Sequence, residues 1–255
     1  MTINRQMRSA LYATAGYFVA LELMLFAAIE YWPSFAGNVP AIRLLSKPIP
    51  MLNDMIDMID QFGAIAYVLG QHFFKGCNVL GCAAATLFAA GAVAGEANRG
   101  TLEILLARPI SRRRLLLERW GAGALQVVLP VFLTTLTIPT LLARVDETAE
   151  LGPLMWCAAH QGLFLLSIYA LTFLMSTMGR TPLRITFIVL LLSIFQFSIY
   201  MVKTVTDYSL FRLADIQTFR EVYDAAGPHS TWWWFLGVIG ISMVASLMVF
   251  ERRVP

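Results

Sequence analysis

The sequence predicts an all-α polytopic membrane protein with six transmembrane helices and both termini cytoplasmic, and three observations lead there. Of its 255 residues 58% are hydrophobic and only 14% charged, far below the roughly 25% charged share of soluble domains. Six apolar runs reach the length of about 20 helical residues needed to cross a hydrocarbon core about 30 Å thick. Arginines crowd the connections on one side of those runs, and acidic residues the other. Alternation of period two between regular turn signals is missing, which argues against a transmembrane barrel.

The runs follow in order. The first, Ala10–Tyr31, is too long for the apolar core of a signal peptide and no cleavage pattern follows it, so it is expected to be a retained span. After it, Asp54, Asp57 and Asp60 are set among Met51, Leu52, Met55, Ile56, Met58 and Ile59. This spacing puts three carboxylates within about 120° of a helix whose other face is apolar, as in a helix lying in the outer interface. The remaining spans are Gly76–Gly95, Trp120–Leu142, Pro153–Met178, Leu183–Val205 and Trp232–Phe250. No internal repeat or low-complexity linker divides the chain, which reads as a single transmembrane domain over 1–255.

Orientation follows from the basic residues near the span ends. One side collects Arg5, Arg8, Arg99, Arg108, Arg112, Arg113, Arg114, Arg119, Arg180, Arg184, Arg252 and Arg253. The other holds Asp54, Asp57, Asp60, Asp146, Glu147, Glu150, Asp207, Asp215, Glu221 and Asp224. The excess of positive charge inside places both termini in the cytoplasm. Trp32, Trp156 and Trp232–Trp234 fall at the outer ends, and Trp120 at an inner end, as expected of interfacial aromatic belts.

The connection Gly95–Trp120, GEANRGTLEILLARPISRRRLLLERW, is polar and arginine-rich between two apolar runs. Gly100 and Thr101 break the preceding helix, Leu102–Ala107 forms a short helix across the membrane surface, and Pro109 biases Arg108 out of helical conformation. Ser111 caps a new helix that runs into the third span. Arg112, Arg113 and Arg114 then occupy its first turn, where the helix dipole disfavours positive charge. Something negative should compensate them, and either anionic lipid headgroups or a protein partner would serve.

Glu96, then Gly100-Thr101-Leu102-Glu103, Leu105-Leu106, Pro109 and Ser111-Arg112 follow the pattern E-x-x-x-G-T-L-E-x-L-L-x-x-P-x-S-R. In this the chain resembles the ABC-2 type transporter permeases, which carry the pattern between the second and third of six spans. The remainder resembles that family in architecture, although Thr2–Ala10, with Arg5 and Arg8 its only charges, stands where many members carry a longer amphipathic helix. The resemblance implies the permease subunit of an ATP-driven bacterial exporter in the cytoplasmic (inner) membrane. The coupling segment, 96–119, would then dock a separate ATP-binding subunit through Glu96, Gly100, Thr101, Leu102, Glu103, Leu105, Leu106, Pro109, Ser111 and Arg112. ATP and Mg would sit on that partner. Six spans make half of a translocation unit, which implies a second permease protomer, a homodimer by preference, among membrane lipids and with no nucleic acid.

An ATPase site on this chain is excluded separately. A phosphate-cradling Walker loop ends in Gly-Lys-Ser/Thr, and the lysines here, Lys47, Lys75 and Lys203, each follow a residue other than glycine.

Glu22 lies mid-span, where a charge costs roughly 2.5–3.5 kcal/mol; it is either a pathway or proton-linked acid, or a packing glutamate. The pathway role belongs to the alternative reading, a stand-alone proton- or ion-coupled secondary transporter, which predicts interrupted helices in two related halves. His72 with Cys77 and Cys82 matches no familiar metal pattern, and Lys75 repels a cation. Cys77 and Cys82 would stand about 7.5 Å apart along a helix and on different faces, beyond disulfide reach; Cys157 is likewise read as a buried small residue. His160 and Ser167 are about 10 Å apart on one helix, too far to act as base and nucleophile. No catalytic or metal site is expected on this chain.

Overall fold

The computed structural model describes residues 2–46, 50–103 and 110–252. These residues are almost wholly helical and contain no strand. The main helices are α1 (Thr2–Gly37), α2 (Val39–Ser46), α3 (Pro50–Val68), α4 (Asn78–Ala92), α5 (Ala94–Asn98), α6 (Arg112–Leu142), α7 (Leu151–Met178), α8 (Pro182–Tyr200), α9 (Ile216–Ala225) and α10 (Trp232–Glu251). Six helical stretches among the described residues are long and apolar enough to cross a membrane: Arg8–Gly37, Met51–Ala92, Arg112–Val145, Leu151–Met178, Pro182–Tyr200 and Trp232–Glu251.

Two boundaries depart from the sequence reading. The second span was expected to begin at Gly76, yet the apolar helical stretch runs from Met51 to Ala92, kinked at Gly63 and passing through a π-helical segment at Leu69–Cys77. Gln71, His72 and Lys75, which look like the end of an apolar run, are accommodated locally: Lys75 Nζ lies 3.3 Å from Gln71 Oε1, and the buried His72 ring nitrogen lies 3.3 Å from Thr134 Oγ1. The fifth span was expected to reach Val205, but α8 stops at Tyr200 and turns follow. Short 3-10 turns at Thr206–Tyr208 and Leu210–Ala214, then α9, occupy the stretch before the last span.

The described residues form two compact units, the first within Met1–Leu80, Pro130–Gln161 and Ile194–His229. Here the first part of α3 is amphipathic as its spacing requires: Ile56 and Ile59 are buried and Asp54, Asp57 and Asp60 exposed. Gly63, at φ 63° and ψ −144°, ends that part with a kink; this region of backbone space is essentially open to glycine alone. Trp32, Phe35 and Tyr67 pack together with ring centroids 4.7–6.2 Å apart, and the Trp32 indole donates to Glu147 at 2.9 Å. Buried amides close the unit. Gln161 donates to Asn78 at 2.9 Å, and Asn78 to the Ala214 carbonyl at 3.0 Å, which pins the 3-10 turn.

The second unit lies within Gly81–Leu129, Gly162–Ser193 and Ser230–Pro255. Its α4 is lined with alanine, of which Ala85, Ala89 and Ala90 are fully buried, so neighbouring helices approach closely. Gly123 serves the same end on α6, because a Cβ there would stand 2.9 Å from the Tyr169 ring. Ser176 of α7 repairs the break between α4 and α5. Its hydroxyl donates to Ala90 O at 2.9 Å and accepts from the amides of Val93 at 3.2 Å and Ala94 at 2.9 Å. Broken helical backbone in an apolar surrounding needs such partners, since no water supplies them.

Candidate coupling site

The motif-bearing connection belongs to the second unit, and its geometry starts from how α5 ends. Gly100 has φ +68°, the left-handed conformation that glycine adopts without steric cost. Its amide donates to Ala97 O at 3.2 Å, and the Thr101 amide donates to Glu96 O at 3.0 Å. This pair of bonds is the Schellman arrangement that closes a helix C-terminus. The spacing Glu-x-x-x-Gly-Thr therefore has a local meaning: Glu96 supplies the carbonyl, Gly100 the left-handed turn and Thr101 the returning amide.

The side chains add a second layer. Thr101 Oγ1 makes a short hydrogen bond to the Glu96 carboxylate, and Arg99 Nη2 donates to its other oxygen at 2.7 Å. Arg119, one turn before the apolar part of α6, stands 3.5 Å from Glu96 and donates to Ala92 O at 2.5 Å. The Glu96 side chain is only 5% exposed. Burial alone would raise its pKa, but the hydrogen bonds from Thr101 and Arg99 and the charges of Arg119 and Arg99 outweigh it, so the carboxyl sits below the ordinary glutamate value. Glu96 is thus ionised and triply held, an anchor of the connection and not a surface contact.

Ser111 caps α6 as expected, its hydroxyl accepting from the Arg114 amide at 3.3 Å. The charges on that first turn meet oxygens of the same unit. Arg113 pairs with the Glu251 carboxylate, Arg112 donates to Glu251 O at 2.9 Å, and Arg114 pairs with Glu118 at 2.8 Å. For Arg112 and Arg113 the cause is that the end of α10 packs beside the start of α6, a proximity no local spacing records, whereas Arg114 and Glu118 are one turn apart on α6.

Of the expected docking residues, Leu102 is buried within the chain and Glu103 is exposed. Leu105, Leu106 and Pro109 lie outside the described residues. Arg99, Arg119 and Glu251 were not singled out by the sequence reading. Arg99 was within reach of it, at i+3 from Glu96 on a helix; the other two are tertiary neighbours.

Away from this site, Glu22 is half-buried in the first unit and accepts from Thr137 Oγ1 at 3.1 Å. His160 contacts the Leu213 carbonyl at 2.8 Å, and Ser167 donates to Phe164 O at 2.6 Å. Cys77, Cys82 and Cys157 are buried. Among the described residues no three His, Cys, Asp or Glu side chains converge as a metal cage.

No curated protein matches the sequence significantly. The family described as ABC-2 family transporter protein matches residues 7–232, from α1 to the start of α10. That match covers the first five apolar helices and the Glu96–Arg119 connection together, ending where the sixth helix begins, and the chain belongs to the ABC-2 transporter family of multi-pass membrane transport proteins.

Proposed function

We propose that this chain is the permease subunit of an ATP-driven exporter and that the segment after Gly100 docks a separate ATP-binding subunit. The observation that carries the reading is the anchored exit from α5. The Schellman turn, the Glu96 cluster and buried Leu102 fix the start of the segment, and Glu103 is the first exposed residue beyond it. A rigid root lets force on the segment reach α4 and α6 without being dissipated in a loose loop. Leu105 and Leu106 would fill an apolar groove on the partner, with Glu103 pairing a basic residue at its rim. ATP and Mg belong to that partner. Closure of two such partners would switch two permease protomers, most simply identical ones, between inward and outward access. Both termini and the connection face the cytoplasm in this arrangement, in the inner membrane of a bacterium.

Co-purification with the cognate ATP-binding subunit tests it. Glu103→Arg and Leu105→Asp should leave membrane insertion intact yet abolish capture of the ATPase and ATP-dependent transport in vesicles. Normal capture and transport by both variants would overturn the docking assignment. Transport by the permease alone on a proton gradient, abolished by Glu22→Gln, would instead establish a secondary transporter.

A further inference from the structure

The first unit holds a cavity of about 220 Å³ that plays no part in the coupling site. Its apolar wall is made by Met51, Met55 and Met58 of α3 with Ile216 of α9. The three methionines recur at i, i+4 and i+7, one face of the helix. On α3 the isoleucines Ile56 and Ile59 are buried, while Met55 and Met58 remain half-exposed beside the cavity. The helix thus packs through Ile56 and Ile59, with Met51 also buried, and turns the flexible thioethers of Met55 and Met58 to open space, where they adapt to the shape of a guest.

A second part of the wall is charged and unbalanced. Asp54, Asp207 and Asp215 line it against Lys203 and Arg212, an excess of one carboxylate. Asp215, 1% exposed, is fully engaged, by Arg212 at 2.6 Å and the Thr218 amide at 2.8 Å. Asp54 pairs with Lys203 at 3.1 Å. Asp207 is the loosest, 91% exposed and 3.9 Å from Arg212.

We propose that this cavity binds a small organic cation, an ammonium bearing one compact apolar group, with the apolar group against the thioethers and the charge at Asp207 and Asp54. An anion would meet the excess negative charge. A bare metal ion would be lost in so wide a space, and no cage of three ligating side chains is present among the described residues. The volume lies below the roughly 300–1,000 Å³ of sites for drug-sized ligands, which limits the guest to about one aromatic ring with its ammonium.

The test uses the full chain in zwitterionic lipid nanodiscs, with methionine methyl groups labelled by carbon-13 and resolved by NMR. Phenyltrimethylammonium should shift the Met51, Met55 and Met58 methyls saturably, each assigned through its Met→Leu variant. Benzenesulfonate, of similar size and opposite charge, should leave them in place. Asp207→Asn should weaken the cation about tenfold, and Lys203→Gln, which frees Asp54, should tighten it about threefold. The methyl spectrum without probe reports whether each variant is folded. Equal response to the sulfonate, shifts confined to other methionines, or unchanged affinity in both charge variants would overturn the assignment. Binding here requires no ATP-binding subunit, so a failed result leaves the coupling proposal standing, and the reverse.

Discussion

Arg119 stands 3.5 Å from Glu96 and donates to the carbonyl of Ala92 at 2.5 Å, so one guanidinium on α6 holds the end of α4 and the carboxylate that organises α5. The two helices entering the coupling segment are thereby tied at its root. Serving Glu96 at the same time, Arg99 and Thr101 make the ion pair part of a network whose members depend on one another.

Removing the charge at the centre should be costly. Glu96→Gln keeps the shape but weakens three charge-assisted contacts, and is expected to destabilise the detergent-solubilised protein by about 2 kcal/mol. A thermal unfolding series checks this. By contrast Arg113→Gln, which removes an exposed pair with Glu251, should leave the unfolding temperature within error of the parent.

Acid should erase the advantage of Glu96. Its folded pKa lies below the unfolded value of about 4.3. Its stabilisation is therefore complete above that value and lost as pH falls through the folded pKa. The gap in unfolding temperature between the parent and Glu96→Gln should be constant from about pH 6 to 8 and narrow steadily as pH falls below the unfolded value. A gap that widens in acid would contradict the ionised network.

The turn at Gly100 makes a purely backbone prediction. No atom lies within 4 Å of a Cβ placed there, but φ is +68°. Gly100→Ala should cost about 1 kcal/mol and Gly100→Asn less, since asparagine tolerates the left-handed region. Gly91→Ala, within helical α4 and equally open, should be neutral or slightly stabilising. Unfolding temperatures of the three variants decide it.

Close approach at Gly123 is a packing prediction. Tyr169 is fully buried, donates to Trp120 O at 3.1 Å and leaves no room for a methyl group on Gly123. Gly123→Ala should destabilise by about 1–3 kcal/mol through overpacking. The double variant with Tyr169→Phe, which removes the crowding hydroxyl, should recover part of that loss. Additive losses would place the strain elsewhere.

The sequence by itself determined that the chain is helical and membrane-spanning, because twenty apolar residues in succession have one stable arrangement in lipid. It also determined the local punctuation: the glycine turn at Gly100, the Ser111 cap and the amphipathic face of Asp54, Asp57 and Asp60 each depend on residues within a turn or two of one another. The entry into the second span was not legible. Whether Gln71, His72 and Lys75 end a helix depends on partners such as Thr134, which lies far along the chain. Nor was the anchoring role of Glu96, whose sequence shows a polar residue in a polar connection; its burial and its pairing with Arg119 arise only when α4, α5 and α6 meet. The same holds for Arg113 at the start of α6. Its charge required an anion, as the helix dipole dictates, but only tertiary packing decided that Glu251 would supply it.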